Sequence, residues 1–221
     1  MTIAYADPVG LQTATTTAAN ATVRPGPDPA RVDNRLPFLS WAAAYLLGYG
    51  AFAVSRGTDP LLALPGLVPV VVLAAGLLGA TAVTTVSVVR AQRGVSGPAA
   101  LSGTLFGIAW AIGFGALFLL VTALAGVLDE PRVETLLWPA GSGLVVGLLY
   151  LMGGALDRDV VQYALGGWLA LVTTAGVFLG TPGLYGVLAL GAPAGYLVAA
   201  ALDHRRRAAS VGIARRRAEE E

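Results

Sequence analysis

Apolar residues run along this chain in six long stretches, separated by short polar loops. An α-helix needs roughly 20 apolar residues to cross the ~30 Å of hydrocarbon in a bilayer. The pattern therefore predicts an all-α fold, a polytopic transmembrane helical bundle with six spans. The predicted spans cover residues 37–55, 62–89, 99–127, 136–156, 160–180 and 183–203.

The two flanks of this apolar region differ from it in composition. Residues 1–35 hold a Thr/Ala/Asn tract and then Pro25, Pro27 and Pro29, which is typical of a flexible tail. Residues 36–203 form the predicted six-helix membrane domain. Residues 204–221 form a basic tail that starts with three consecutive arginines after His204.

The arginines segregate between the two sides of this six-span arrangement. All 14 basic residues are arginine, and only Arg56 and Arg132 fall on the side opposite both chain ends. Cytoplasmic loops of membrane proteins carry the excess of basic residues. Both termini are therefore predicted to be cytoplasmic (N-in/C-in), in a plasma or inner membrane. Removing the first span would place three arginines of the N-terminal tail outside, so six spans are preferred over five.

Composition excludes several kinds of chemistry. Charged residues make up 12% of the chain, against about 25% in soluble domains, and the net charge of +1 gives no field to attract nucleic acid. There is no cysteine and one histidine, which excludes disulfides, cysteine zinc sites and HExxH metal sites. No phosphate-binding GxxxxGK[ST] loop occurs. We expect no metal, no cofactor and no enzymatic activity.

Small residues recur at helical spacing in two of the spans. In lipid, small residues let helices approach closely, so such rows predict tight helix–helix seams. The helix-packing candidates are Gly103, Gly107, Ala111 and Gly115 in the third span, and Gly191 and Gly195 in the sixth. Pro193 lies midway along the sixth span, where proline breaks a backbone hydrogen bond. It is a candidate hinge; the alternative is a static kink packed against a neighbour.

Polar groups inside the spans are nearly all neutral. No charged residue lies near the middle of any span, which argues against a proton-coupled carrier with a midplane carboxylate. Hydroxyl and aromatic side chains remain as candidates for lining a cavity. They are Thr84, Thr85, Trp110, Tyr150, Trp168, Thr173 and Thr174. The alternative is that the threonines bond to their own helix and that the tryptophans pack against neighbours.

The two halves of the membrane domain share short segments in the same order. Residues 45–48 (YLLG) resemble residues 150–153 (YLMG), and residues 83–85 match residues 172–174 (both VTT). Two halves of three spans in opposite orientation are a common plan in transporters. The alternative is chance similarity within the small alphabet of membrane helices.

Arg205, Arg206 and Arg207 lie directly after the last span and are candidates for contact with anionic lipid, or else a topology flank. The bilayer itself and either a homo-oligomer or a partner membrane subunit are the expected partners. The sequence favours a small-solute transporter or permease component. The alternative is a non-transporting scaffold or regulatory subunit that docks a partner protein. An intramembrane enzyme is least favoured, and the short cytoplasmic loops argue against an ATP-driven permease.

Overall fold

The computed structural model describes residues 33–220, and every regular element in this range is helical. The predicted flexible tail, residues 1–35, lies almost wholly outside the described residues. The α-helices are α1 (Arg35–Ser55), α2 (Leu67–Ala91), α3 (Pro98–Leu128), α4 (Pro131–Leu156), α5 (Val160–Gly176) and α6 (Gly180–Glu220). One turn of 3₁₀-helix, Val177–Leu179, connects α5 to α6.

Five helical stretches are long and apolar enough to cross a membrane. Four of them correspond to α1, α2, α3 and residues Val133–Leu156 of α4. The fifth, Val160–Ala209, runs through α5, the 3₁₀ turn and most of α6. The chain is thus an all-helical protein whose helices suit a membrane. The six-span count and the side on which the termini lie stay predictions.

The chain reverses its direction between α5 and α6. Gly180 has φ 60° and ψ −167°, a backbone conformation that favours glycine, and Thr181 is extended rather than helical (φ −96°, ψ 135°). Beyond this break, Gly176 lies beside Leu184, and Gly191 lies beside Val172. Residue numbers rise along α6 as they fall along α5, so the two helices are antiparallel.

Several helix bounds differ from the sequence prediction. α2 begins at Leu67 rather than at residue 62, with Pro69 in its first turn, where proline is tolerated. α4 begins at Pro131 rather than at residue 136, which makes Pro139 an interior residue of the helix. α6 continues as a helix to Glu220, well beyond the predicted end at residue 203.

The helices pack in the order α2–α1–α6–α5–α4–α3, and each adjacent pair in this order is antiparallel. The core lies where α1, α4, α5 and α6 meet. In contrast, α2 packs on α1 and α3 packs on α4, while α2 and α3 make hardly any contact with each other. Only 11% of the apolar stretch of either peripheral helix is buried, against 50% for α5 and α6 together.

This arrangement brings most described arginines to one end of the bundle. The starts of α1, α3 and α5, the ends of α2 and α4, and residues 203–207 of α6 all lie there, because packed neighbours are antiparallel. We call this the arginine-rich end. Its described arginines are Arg35, Arg90, Arg93, Arg158, Arg205, Arg206 and Arg207, whereas Arg56 lies at the opposite end.

Candidate site in an aromatic cluster

Aromatic side chains from four helices meet in the half of the bundle nearer the arginine-rich end. The aromatic cluster consists of Phe38 and Tyr45 of α1, Trp110 of α3, Tyr150 of α4 and Tyr196 of α6. The Tyr196 ring centroid lies 6.2 Å from that of Phe38, 5.9 Å from that of Tyr45 and 6.2 Å from that of Tyr150. Trp110 meets Tyr150 edge to face at 6.1 Å, within the range of favourable aromatic pairs.

Helical spacing explains how these residues come together. Phe38 and Tyr45 are seven residues apart, two turns of α1, and therefore share the face that packs against α6. Both are buried, and Tyr196 is fully buried. Trp110 is only half-buried, so the aromatic cluster reaches the surface of the bundle on the α3 side.

The hydroxyl of Tyr196 is buried and makes no hydrogen bond of good geometry to the described residues, and its polar neighbour in the aromatic cluster is the hydroxyl of Tyr150. Leaving such a group unsatisfied in an apolar interior costs about 1–3 kcal/mol. Buried polar groups in native proteins are almost always satisfied, by protein groups or by ordered water. A polar group that came within hydrogen-bonding distance of this hydroxyl would offset that cost.

Two of the predicted cavity-lining residues, Trp110 and Tyr150, belong to the aromatic cluster, but the others do not. Thr84 lies between α2 and α1, where it accepts a hydrogen bond from Trp41 Nε1 at 3.0 Å. Its own hydroxyl donates to the Ala80 carbonyl at 2.8 Å. Thr85 is exposed on the outer surface of α2.

The remaining candidates lie on α5, away from the aromatic cluster. Thr173 is fully buried beside Gly143 and donates to the Leu169 carbonyl at 2.7 Å. Thr174 is exposed and donates to its own helix. Trp168 is 46% exposed and donates to the Gly191 carbonyl of α6 at 2.7 Å. The seven side chains do not share one surface, and contact of any of them with a solute stays a prediction.

The small-residue rows of α6 and α3 lie in different environments. Gly191 and Gly195 of α6 lie directly against Val172 and Trp168 of α5. On α3, a Cβ added to Gly107 or Gly115 would meet no atom within 4 Å, and Ala111 is exposed. Gly103 meets only the side chain of Gln92.

Aromatic side chains and Gly113, rather than the predicted row of small residues, attach α3 to α4. Phe106, Trp110 and Phe114 lie four residues apart, and Trp110 and Phe114 stack at 6.1 Å. Trp110 then contacts Tyr150 of α4. Gly107, Ala111 and Gly115 each follow one of these aromatic residues by one position, about 100° around the helix, so the two rows lie on different faces of α3. As a result the row of small residues faces no other helix of the described chain.

Two prolines lie inside helices of the described structure. Pro193 is buried within α6, where the non-helical dihedrals lie at Gly180 and Thr181 and not at the proline, so its role as a hinge stays a prediction. Pro139, which the sequence prediction placed near the start of a span, cannot donate to the Thr135 carbonyl four residues earlier. The Tyr185 hydroxyl of α6 donates to that carbonyl at 3.4 Å. The freed carbonyl thus becomes a contact between α4 and α6.

Tyr45, Tyr196 and Phe38 are central to the aromatic cluster, and sequence reasoning did not select them. Two signals could have indicated them. Tyr196 is one of only two tyrosines in the predicted sixth span, and Phe38 and Tyr45 are two helical turns apart. Each signal is also typical of ordinary helix packing, so neither identifies a site without the contact between α1 and α6.

The candidate lipid-binding arginines have different environments. Arg206 pairs with Asp159 at 3.0 Å and Arg207 pairs with Asp203 at 3.0 Å, whereas Arg205 is exposed. At the opposite end, an open surface pocket lies on the α3–α4 turn. Its lining residues are Thr122, Ala125, Gly126, Asp129, Glu130 and Glu134. No group of three or more His, Cys, Asp or Glu among the described residues is placed to hold a metal ion.

No family model, no curated protein and no solved structure matches this chain. The functional argument therefore rests on the geometry of the helices and of the aromatic cluster.

Proposed function

We propose that this protein is an integral membrane carrier, or a permease component, for a small uncharged solute, and that it performs no catalysis. The observation that carries the proposal is the fully buried hydroxyl of Tyr196, which has no hydrogen bond of good geometry and has the Tyr150 hydroxyl as its polar neighbour in the aromatic cluster. A polar molecule that reaches this hydroxyl would satisfy it while its apolar parts contact aromatic faces. Binding sites for small molecules commonly combine an apolar, aromatic lining with a few polar groups.

The absence of charge in the aromatic cluster defines the class of solute. Its five residues carry no ionisable acid or base other than phenols, and the predicted spans hold no charged residue near their centres. A charged solute would lose its hydration there without gaining a counter-ion, which is costly in a membrane interior. An uncharged solute with one hydrogen-bonding group would not bear this cost.

The proposed topology has six crossings with both termini cytoplasmic in a plasma or inner membrane. The antiparallel packing of α5 and α6 supports the sixth crossing. The concentration of arginines at one end supports the orientation. The wide separation of α2 from α3 leaves the half-buried Trp110 as the edge of the aromatic cluster nearest the lipid.

A second candidate function is a non-transporting subunit that docks transmembrane helices of a partner. The observation that favours it is the open environment of Gly107 and Gly115 on α3, together with the slight burial of α2 and α3. A partner helix could approach α3 closely along this row of small residues. In this alternative the Tyr196 hydroxyl would hold only water.

Native mass spectrometry of the protein extracted from its own membrane in mild detergent separates the two functions. For a carrier we expect the chain to retain a reproducible small-molecule mass, which is lost in Tyr196→Phe. The compound so identified is then tested for uptake into liposomes that contain the purified protein. Tyr185→Phe is the matched control, because it removes a hydroxyl from the same helix at a position outside the aromatic cluster.

The outcomes differ clearly between the two functions. A stoichiometric protein partner, with no small molecule retained, would favour the docking subunit. Equal retention of the small molecule by the parent and by Tyr196→Phe would contradict the proposed role of the hydroxyl. Loss in Tyr185→Phe as well would show a general structural effect rather than a site.

A further inference from the structure

Ion pairs connect three separate segments at the arginine-rich end of the bundle. The residue before α1, Asp33, binds Arg35, with its Oδ2 2.7 Å from Arg35 Nη2. Asp159 binds Arg206 of α6 at 3.0 Å. Asp203 binds Arg207 at 3.0 Å, and Arg207 Nε also lies 3.8 Å from Asp33. We call these six residues, Asp33, Arg35, Asp159, Asp203, Arg206 and Arg207, the ion-pair clamp.

Asp159 makes the most buried link of the clamp. Its side chain caps α5 by accepting hydrogen bonds from the backbone N–H groups of Val161 and Gln162. The same carboxylate oxygen accepts the hydrogen bond from Arg206. Only 7% of the Asp159 side chain is exposed, so this pair is screened less by salt than a surface pair. One carboxylate therefore fixes both the start of α5 and its attachment to α6.

Other charged groups near the clamp do not replace this link. Arg35 approaches Nδ1 of His204 at 3.5 Å, which joins the start of α1 to α6 a second time. Arg205 is exposed and forms no ion pair within the described part of the chain. The clamp itself contains three carboxylates and three guanidinium groups, so it is internally neutral and needs no outside counter-ion.

The clamp lies directly beyond the aromatic cluster. Asp203 is seven residues from Tyr196, two turns or about 10 Å along α6. Between them, Ala199 and Ala200 are buried against the core. Phe38, another member of the aromatic cluster, lies less than one turn of helix from Arg35. Segments held by the clamp therefore cover the aromatic cluster on the side of the arginine-rich end.

We propose that the ion-pair clamp is a gate, closed in this structure, that controls access of water-soluble molecules to the aromatic cluster from the arginine-rich end. Breaking the Asp159–Arg206 link would let the end of α6 move away from the α4–α5 turn and expose the face that contains Ala199. The identity of the molecule that passes the gate rests on the proposed function. The opening itself is measurable without any solute.

The test uses the absence of cysteine in the natural sequence. Ala199→Cys places one thiol under the clamp, and its reaction with a water-soluble maleimide in detergent reports how often the gate opens. In the Ala199→Cys protein, a further Arg206→Gln substitution should raise the labelling rate about fivefold. Loss of an ion pair that contributes about 1 kcal/mol to the closed state raises the population of the open state by that factor. Arg205→Gln, which removes the same charge from the exposed neighbouring residue, should leave the rate unchanged.

Asp159→Asn provides a second variant that does not depend on the folding of Arg206→Gln. Asparagine is as good a helix cap as aspartate, so α5 keeps its cap while the ion pair is lost. Its labelling rate should also rise. Arg206→Lys, with Asp159 unchanged, should keep most of the slow rate of the parent, because lysine retains the charge that pairs with Asp159.

Equal labelling rates in Arg206→Gln and Arg205→Gln, whether fast or slow, would overturn the gate. So would a rate for Asp159→Asn equal to that of the parent. The labelling experiment contains no solute, so its result does not depend on transport. If the labelling rates change as expected but the protein transports no solute into liposomes, the proposed function is contradicted and the gate is not.

Discussion

Glycines between α4 and α5 have the opposite environment to Gly107 and Gly115 of α3. A Cβ on Gly147 of α4 would lie 2.6 Å from the backbone nitrogen of Ala170, and one on Gly166 of α5 would lie 2.6 Å from the Gly147 carbonyl oxygen. A Cβ on Gly107 or Gly115 of α3 would meet nothing within 4 Å. A row of small residues thus shows that close approach is permitted. It does not show that the partner helix belongs to the same chain.

Gly166→Ala against Gly107→Ala is the strongest test of this difference. The added methyl group at residue 166 collides with backbone atoms of α4, which cannot rotate away, so the helices must separate. We expect a loss of about 2–3 kcal/mol in the free energy of unfolding. At residue 107 the same change should be neutral or stabilising by up to about 1 kcal/mol, because alanine favours helix over glycine. Thermal unfolding of the purified protein in detergent measures both.

If the two variants unfold at the same temperature, the glycines between α4 and α5 and those on the open face of α3 do not differ in their contribution to stability. Destabilisation by Gly107→Ala in the native membrane, but not in the isolated chain, would instead reveal a partner helix on α3. That outcome would favour the docking subunit over the carrier.

Two interhelical hydrogen bonds from indole groups test the same comparison with smaller expected energies. Trp41 of α1 donates to Thr84 of α2, and Trp168 of α5 donates to the Gly191 carbonyl of α6. Changing either tryptophan to phenylalanine should cost about 1 kcal/mol. The two substitutions should differ in which helix they loosen. α2 packs only on α1 among the main helix contacts, whereas α5 packs on α4 as well as on α6.

Hydrogen exchange followed by mass spectrometry locates these consequences. In Trp41→Phe, exchange should accelerate along residues 67–91, since α2 can then open without disturbing the core. In Trp168→Phe, α5 should keep its protection because its contact with α4 remains. Equal acceleration of α2 and α5 in their respective variants would show that the two helices are held equally well.

Sequence reasoning recovered the all-helical, membrane-type fold because apolar length and arginine position depend on the bilayer rather than on tertiary contacts. α2 starts at Leu67 rather than at the predicted residue 62, beside Pro65 and Pro69, because proline is tolerated in the first turn of a helix and disrupts its interior. The contacts of the candidate site did not follow. Tyr196 matters because α1 and α6, which are far apart in sequence, place Phe38 and Tyr45 around it. The open environment of Gly107 and Gly115 on α3 could not be predicted either, since the spacing of small residues does not show whether another helix packs against them.

The smallest expected effect concerns Asp33, at the point where α1 is attached to α6. The hydrogen bond from the Arg35 side chain is the main cause that lowers the pKa of Asp33 from 3.8 to about 2, with a weaker contribution from Arg207. A carboxylate whose pKa is lower in the folded protein stabilises it above its unfolded pKa. This contribution is therefore complete above about pH 4 and is lost as the pH falls towards 2.

Because 44% of the Asp33 side chain is exposed, its contribution should amount to only a few tenths of a kcal/mol. Melting temperatures of the parent and of Asp33→Asn should differ slightly above pH 4 and converge as the pH approaches 2. In an Arg35→Gln background most of that difference should already be absent, because the principal donor is gone. A difference that persists unchanged down to pH 2 would mean that Asp33 acts through packing. In that case the charge of Asp33 would contribute nothing to the attachment of α1 to α6.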